Sequence, residues 1–146
     1  MHAHLIEQPQ TQLRQHVVRD SILIIDDDAA MVEVLRRRLS AQGFTAIEAE
    51  TGIDGLAKAR RHRPALIVLD LRLPDSDGLE VCAQLADDPT TCRIPVIILS
   101  GMERPDIIRR SRAAGCQYFV RKPYDPNALL LLIRSAIDES RAWETV

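Results

Sequence analysis

Four short apolar runs in this chain each lead into a residue that can carry charge or donate and accept hydrogen bonds. SILII runs into Asp26 and Asp27, ALIVL into Asp70, PVIIL into Ser100, and QYFV stops just before Lys122. Apolar runs of this length, bounded by turn formers and separated by helical patterns, argue for βα units around a parallel sheet. In an open parallel sheet the ligand crevice lies outside the carboxyl ends of the strands, so side chains at those ends share one site. Asp26, Asp27, Asp70, Ser100 and Lys122 would then meet on one edge.

The segments between the strands read as helices. Met31, Val34, Leu35 and Leu39 follow helical spacing after the first strand, with Asp28 as a cap and Gly43 as a stop. Phe44 to Ala49 is a second, weaker strand, and Asp54 to Arg63 a short helix closed by Pro64, which disfavours helix in the residue before it. Ala65 to Leu69 is continuously apolar, as a strand covered on both faces should be. The turn-rich loop LRLPDSDG precedes a third helix from about Leu79 to Ala86. Pro95 to Leu99 is the fourth strand. Ile107, Ile108 and Ala113 with Gly115 mark a fourth helix, and Gln117 to Val120 the fifth strand. The last helix opens near Pro126 and runs through Leu129, Leu130, Ile133, Ala136 and Ile137. Leu129 to Leu132 cannot all face inward on a helix, so at least one leucine is expected on an outer surface. Residues 1–20 fit none of these units and read as a flexible N-terminal extension, residues 21–141 as the domain, and 142–146 as a short tail.

Composition removes several function classes. Aromatic residues make up 3% of the chain, so the core must be aliphatic. A net charge of −2 gives no electrostatic argument for nucleic acid or a membrane surface as direct partner. Cys82, Cys92 and Cys116 are odd in number and lack metal or redox spacing, which fits free thiols in a reducing cytosol. His2, His4, His16 and His62 show no ligand spacing either. No apolar stretch approaches the roughly 20 residues needed to span a bilayer, and the N-terminus lacks a signal peptide's apolar block. The reading is a cytoplasmic protein.

The pieces ILIIDDD, LIVLDLRLPDSDG, PVIILSG and AGCQYFVRKPYD, in this order and spacing, resemble the receiver domain of two-component response regulators. The resemblance covers roughly Ser21 to Arg141. It implies a flavodoxin-like (βα)5 fold, a doubly wound parallel sheet of order 2-1-3-4-5, and a stand-alone, chemotaxis-regulator-like switch. It also implies that Asp70 is the phosphoacceptor, with Lys122, preceding a cis Pro123, and Ser100 as its catalytic partners. Asp26, Asp27, Asp70 and the backbone carbonyl of Arg72 would be the metal ligands. Ser100 and Phe119 would be the switch residues, with Tyr118 on the opposite face of the strand. Taken singly, Ser100 reads as a turn residue, Lys122 as surface and Phe119 as core; their weight comes from shared position.

The chemistry agrees with the resemblance. Three carboxylates in one crevice repel, so at least one should have a raised pKa in the absence of a cation. Mg2+ is the natural counter-ion for an all-oxygen site that also meets phosphate, with Mn2+ as substitute, and no organic cofactor is implied. A carboxylate oxygen of Asp70 can attack phosphorus to give an aspartyl phosphate, which the same site would slowly hydrolyse. The partners implied are a sensor histidine kinase or phosphotransfer protein upstream and an effector protein downstream. A homodimer through helix four, strand five and helix five is also allowed. A receiver cut from a longer regulator stays open. A magnesium-dependent phosphatase of the haloacid dehalogenase type would want a second acid two residues after the nucleophile, where this chain has Arg72. A flavodoxin-type flavin carrier would have to seat its phosphate against Asp26 and Asp27.

Overall fold

In the computed structural model of the chain, residues 20–144 are described, and the extension read at residues 1–20 lies almost wholly outside them. The strands are β1 (Ser21–Ile25), β2 (Thr45–Ala49), β3 (Leu66–Asp70), β4 (Val96–Ser100) and β5 (Tyr118–Arg121). The helices are α1 (Ala29–Ala41), α2 (Gly52–His62), α3 (Gly78–Asp87), α4 (Ile107–Ala113) and α5 (Pro126–Glu144). All strand pairs are parallel, in the order β2-β1-β3-β4-β5. The order reverses at β1, so the crevice of the doubly wound sheet opens at the carboxyl ends of β1 and β3.

Strand alternation divides the aliphatic core in two. Leu23, Ile25, Ile67, Leu69, Val96 and Ile98 pack with Ala59, Val81, Leu85 and Ile107 of α2, α3 and α4. Ile22, Ile24, Leu66, Val68, Ile97 and Leu99 pack with Leu35 and Leu39 of α1 and Leu129 and Ile133 of α5. β3 and β4 are buried along their whole length, which is why their sequences are unbroken apolar runs.

Local signals set the helix ends. Asp28 caps α1 by accepting from the Met31 N–H at 3.2 Å, and Thr51 caps α2 by accepting from the Asp54 N–H at 3.0 Å. α2 starts at Gly52, two residues earlier than the sequence reading, because Thr51 caps it. Arg63 adopts a left-handed φ of 44° and lets the chain leave α2 into Pro64. The inward stripe of α1 is Val32, Leu35 and Leu39; Val34, expected inside, is 51% exposed. Of the four leucines on α5, Leu129 is buried and Leu131 is 72% exposed, as the helical period requires. α5 passes Arg141, where the sequence reading ended the domain, and takes in residues 142–144. Among the described residues no helix is long and apolar enough to cross a membrane.

Candidate functional site

β1 and β3 bring their terminal carboxylates together. Asp26 follows β1, is 3% exposed, and is fixed from its backbone by an N–H bond to the Ala49 carbonyl at 3.0 Å. One of its carboxylate oxygens accepts from the Asp28 N–H at 2.9 Å and the other from Lys122 Nζ at 3.1 Å. Asp70 ends β3 at 8% exposure; its Oδ1 accepts from the Arg72 N–H at 3.3 Å and its Oδ2 faces Lys122 Nζ at 3.5 Å. Asp27 is exposed at the rim, yet Asp26, Asp27 and Asp70 each offer an oxygen within 4.8 Å of the others. Three carboxylate oxygens at this spacing make a hard, all-oxygen donor set, which fits a divalent cation such as Mg2+.

The electrostatics follow first from burial and then from that crowding. Burial, reinforced by the Asp70 charge, raises the Asp26 carboxyl above its ordinary value against the pull of the Asp28 N–H and Lys122. Burial alone would lower the Lys122 ammonium, but attraction to Asp26 and Asp70 outweighs it and leaves Lys122 raised. The expectation of a raised carboxylate is met at Asp26.

β4 and β5 supply the other edge. Ser100 ends β4, almost fully buried, with its Oγ accepting from the Met102 N–H at 3.0 Å. The Lys122 N–H continues the ladder to the Ser100 carbonyl at 3.0 Å, and the Lys122–Pro123 peptide is cis. Phe119 is half-buried on the α4 side of the sheet while Tyr118 packs on the α5 side, as strand alternation requires. Two contacts here escape sequence reading. The Arg121 guanidinium lies 5.9 Å from the Phe119 ring centroid, and the Tyr118 hydroxyl donates to Glu139 at 2.8 Å.

The loop after β3 carries Arg72. It closes on itself through an Arg72–Asp77 bridge and a Gly78 N–H bond to the Leu71 carbonyl at 3.0 Å. Gly78 is required there, since a Cβ would sit 2.4 Å from Leu71 Cα and 2.7 Å from the Asp70 carbonyl oxygen. At the loop's tip Asp75 accepts from the Gly52 and Ile53 N–H groups at 2.8 and 3.0 Å, which hold its carboxyl below the usual range. In the sequence alone, Asp75 is only one of the turn formers of LRLPDSDG.

The sequence profile of the response regulator receiver domain matches residues 22–134. The chain belongs to the response regulator receiver family. The polar-differentiation response regulator DivK of Brucella anthropi is 32% identical over 120 residues, which span 82% of this chain and 98% of that protein. Response regulator PleD of Caulobacter vibrioides is 38% identical over 130 residues, 84% of this chain but 28% of PleD. A CheY-like response regulator receiver domain protein from Methanospirillum hungatei shares the fold with a TM-score of 0.81 at 28% identity, covering 86% of this chain and 98% of that one. The receiver domain of a Pseudomonas aeruginosa sensor histidine kinase, solved with magnesium coordinated in its active-site cleft, matches with a TM-score of 0.76 at 23% identity, over 83% and 99% of the two chains. As a receiver domain, this chain is a phosphorylation-dependent signalling switch.

Proposed function

We propose that Asp70 accepts a phosphoryl group from a sensor histidine kinase or phosphotransfer protein and that an effector protein reads the change. The observation that carries this is the meeting of Asp26 and Asp70, from separate strands, around the Lys122 ammonium at 3.1 and 3.5 Å. Asp26, Asp27, Asp70 and the Arg72 backbone carbonyl would hold Mg2+. That ion, when bound, supplies positive charge to the carboxylates and to the phosphoryl oxygens.

The chain's own groups divide the remaining work. An Asp70 oxygen forms the new O–P bond as the donor's P–N or acyl P–O bond breaks, and the electron pair leaves with the donor. Lys122 neutralises an equatorial oxygen, since phosphoryl transfer depends more on positioning and charge than on acid or base groups. The Ser100 hydroxyl, whose Oγ accepts from the Met102 N–H, would turn toward the phosphoryl group and donate its own proton to one of that group's oxygens. That shift frees space on the α4 side of β5, where Phe119 would move inward and carry Arg121 with it. The new charge and acceptor oxygens are thus read out at β4, α4 and β5.

In this reading residues 21–141 form the working unit, and its only chemistry is its own phosphorylation and dephosphorylation. The free thiols Cys82, Cys92 and Cys116 fit a reducing cytoplasm. The phosphatase alternative has no general acid two residues past Asp70, because Arg72 stands there with its side chain exposed. To test the proposal, the protein is incubated with Mg2+ and acetyl phosphate and its intact mass compared with Asp70→Asn. One added phosphoryl group in the wild type alone is expected. An equal gain in the variant would overturn the assignment of Asp70.

A further inference from the structure

We propose that Asp75 is a positioning residue for the Mg2+ site, acting through the loop that carries Arg72. The inference rests on the reading that the Arg72 carbonyl is a metal ligand. That loop is closed at its neck by the Arg72–Asp77 bridge and by Gly78 seated against the backbone of Asp70 and Leu71. The neck joins Arg72 to Asp77, so the Arg72 carbonyl follows the tilt of segment 73–77, which the neck by itself does not fix. The tip is fixed instead by Asp75, whose two carboxylate oxygens take the Gly52 and Ile53 N–H groups at 2.8 and 3.0 Å, while Ser76 Oγ donates to the same carboxylate at 3.1 Å.

The fit around this anchor is close. A Cβ at Gly52 would lie 2.1 Å from Ser76 Oγ and 2.8 Å from Val81 Cγ2, so the loop tip and the first turn of α3 sit directly on the start of α2. Asp75 therefore joins the metal-binding loop to an element more than 20 residues away in the chain. Thr51 caps the same helix by a separate bond to the Asp54 N–H, and its side chain makes no hydrogen bond to the loop. α2 thus has two caps of similar kind, of which one reaches the site and one does not.

The two caps allow a controlled test. Mg2+ is titrated into isotope-labelled protein and the amide signals of Asp70, Leu71 and Arg72 are followed in the wild type, Asp75→Ala, Asp75→Asn and Thr51→Ala. Loss of a group that orients a metal ligand weakens affinity typically by about tenfold or more. Asp75→Ala is expected to raise the Mg2+ dissociation constant by about that factor. Asp75→Asn, which keeps one acceptor, should fall between, and Thr51→Ala should stay within about twofold of the wild type. Melting temperature controls for lost helix capping, which should fall similarly in Asp75→Ala and Thr51→Ala. Unchanged affinity in Asp75→Ala, an equal loss in Thr51→Ala, or no Mg2+ response in the wild type would overturn the inference. If Asp75→Ala weakens Mg2+ but wild type is never phosphorylated, the positioning role stands and the phosphoacceptor reading falls; unchanged affinity in a phosphorylatable protein gives the reverse.

Discussion

Asp70→Asn should stabilise the metal-free protein and destabilise it, relative to wild type, once Mg2+ is present. The oxygens of Asp26, Asp27 and Asp70 lie within 4.8 Å of one another. At an effective dielectric of about 20, each such pair costs about 3.5 kcal/mol, while Lys122 at 3.5 Å from Asp70 returns about 4.7 kcal/mol. Asp27 is exposed, so solvent screens its share by up to about half. The charge on Asp70 is then opposed by about 0.5 to 2 kcal/mol, and removing it should raise the melting temperature in EDTA by about 2 to 6 °C. The amide keeps an oxygen for the Arg72 N–H, so that bond survives. With Mg2+ at a hundred times its dissociation constant the wild type gains about 2.7 kcal/mol, whereas a variant that has lost one ligating oxygen and binds about a hundredfold more weakly gains about 0.4 kcal/mol. The order of the two melting curves should therefore invert between EDTA and Mg2+. A lower melting temperature for Asp70→Asn in EDTA, or equal Mg2+ shifts for both proteins, would refute the repulsion argument.

Other outcomes follow from the same geometry. Asp27→Ala should abolish Mg2+-dependent phosphorylation while circular dichroism stays native, because Asp27 is exposed and would support the ion rather than the core. Arg72→Ala should change the lifetime of the phosphorylated state by more than it changes Mg2+ affinity, since the exposed side chain stands at the rim while the carbonyl is kept; equal lifetimes in a dephosphorylation time course would contradict this. The Thr90 N–H, the Arg60 guanidinium and the Thr90 hydroxyl hold the Asp88 carboxyl at about 2, against an ordinary 3.8. A folded value below the unfolded one means that the stability Asp88 adds is present above pH 3.8 and is lost as pH falls through about 2. Asp88→Asn should therefore flatten the acid limb of the stability curve over that window, as read by denaturant unfolding.

Much of the fold was legible because its signals are local. Unbroken apolar runs mark β3 and β4, Asp28 marks the start of α1, and Pro64 marks the end of α2. The strand-end rule alone gathers Asp26, Asp70, Ser100 and Lys122 onto one edge. What escaped depends on partners distant in sequence. Val34 and Val32 fit the helical period of α1 about equally well, and only docking on β1 and β3 decides which turns inward. Asp75 looks like a turn residue until its loop meets Gly52 and Ile53, and nothing near Phe119 announces that Arg121 lies over its ring. Local chemistry thus identified the groups that would meet a phosphoryl oxygen, whereas the contacts that hold or cover those groups were set by tertiary packing.

The most direct test of the central claim is to locate the phosphoryl group. The protein is labelled with acetyl phosphate and Mg2+, the acyl phosphate is reduced with borohydride, and the peptides are sequenced by mass spectrometry. Reduction of an aspartyl phosphate leaves homoserine, and the account predicts it at position 70 and nowhere else. Homoserine at Asp26 or Asp27, or a stable phosphate on a serine or threonine, would contradict it.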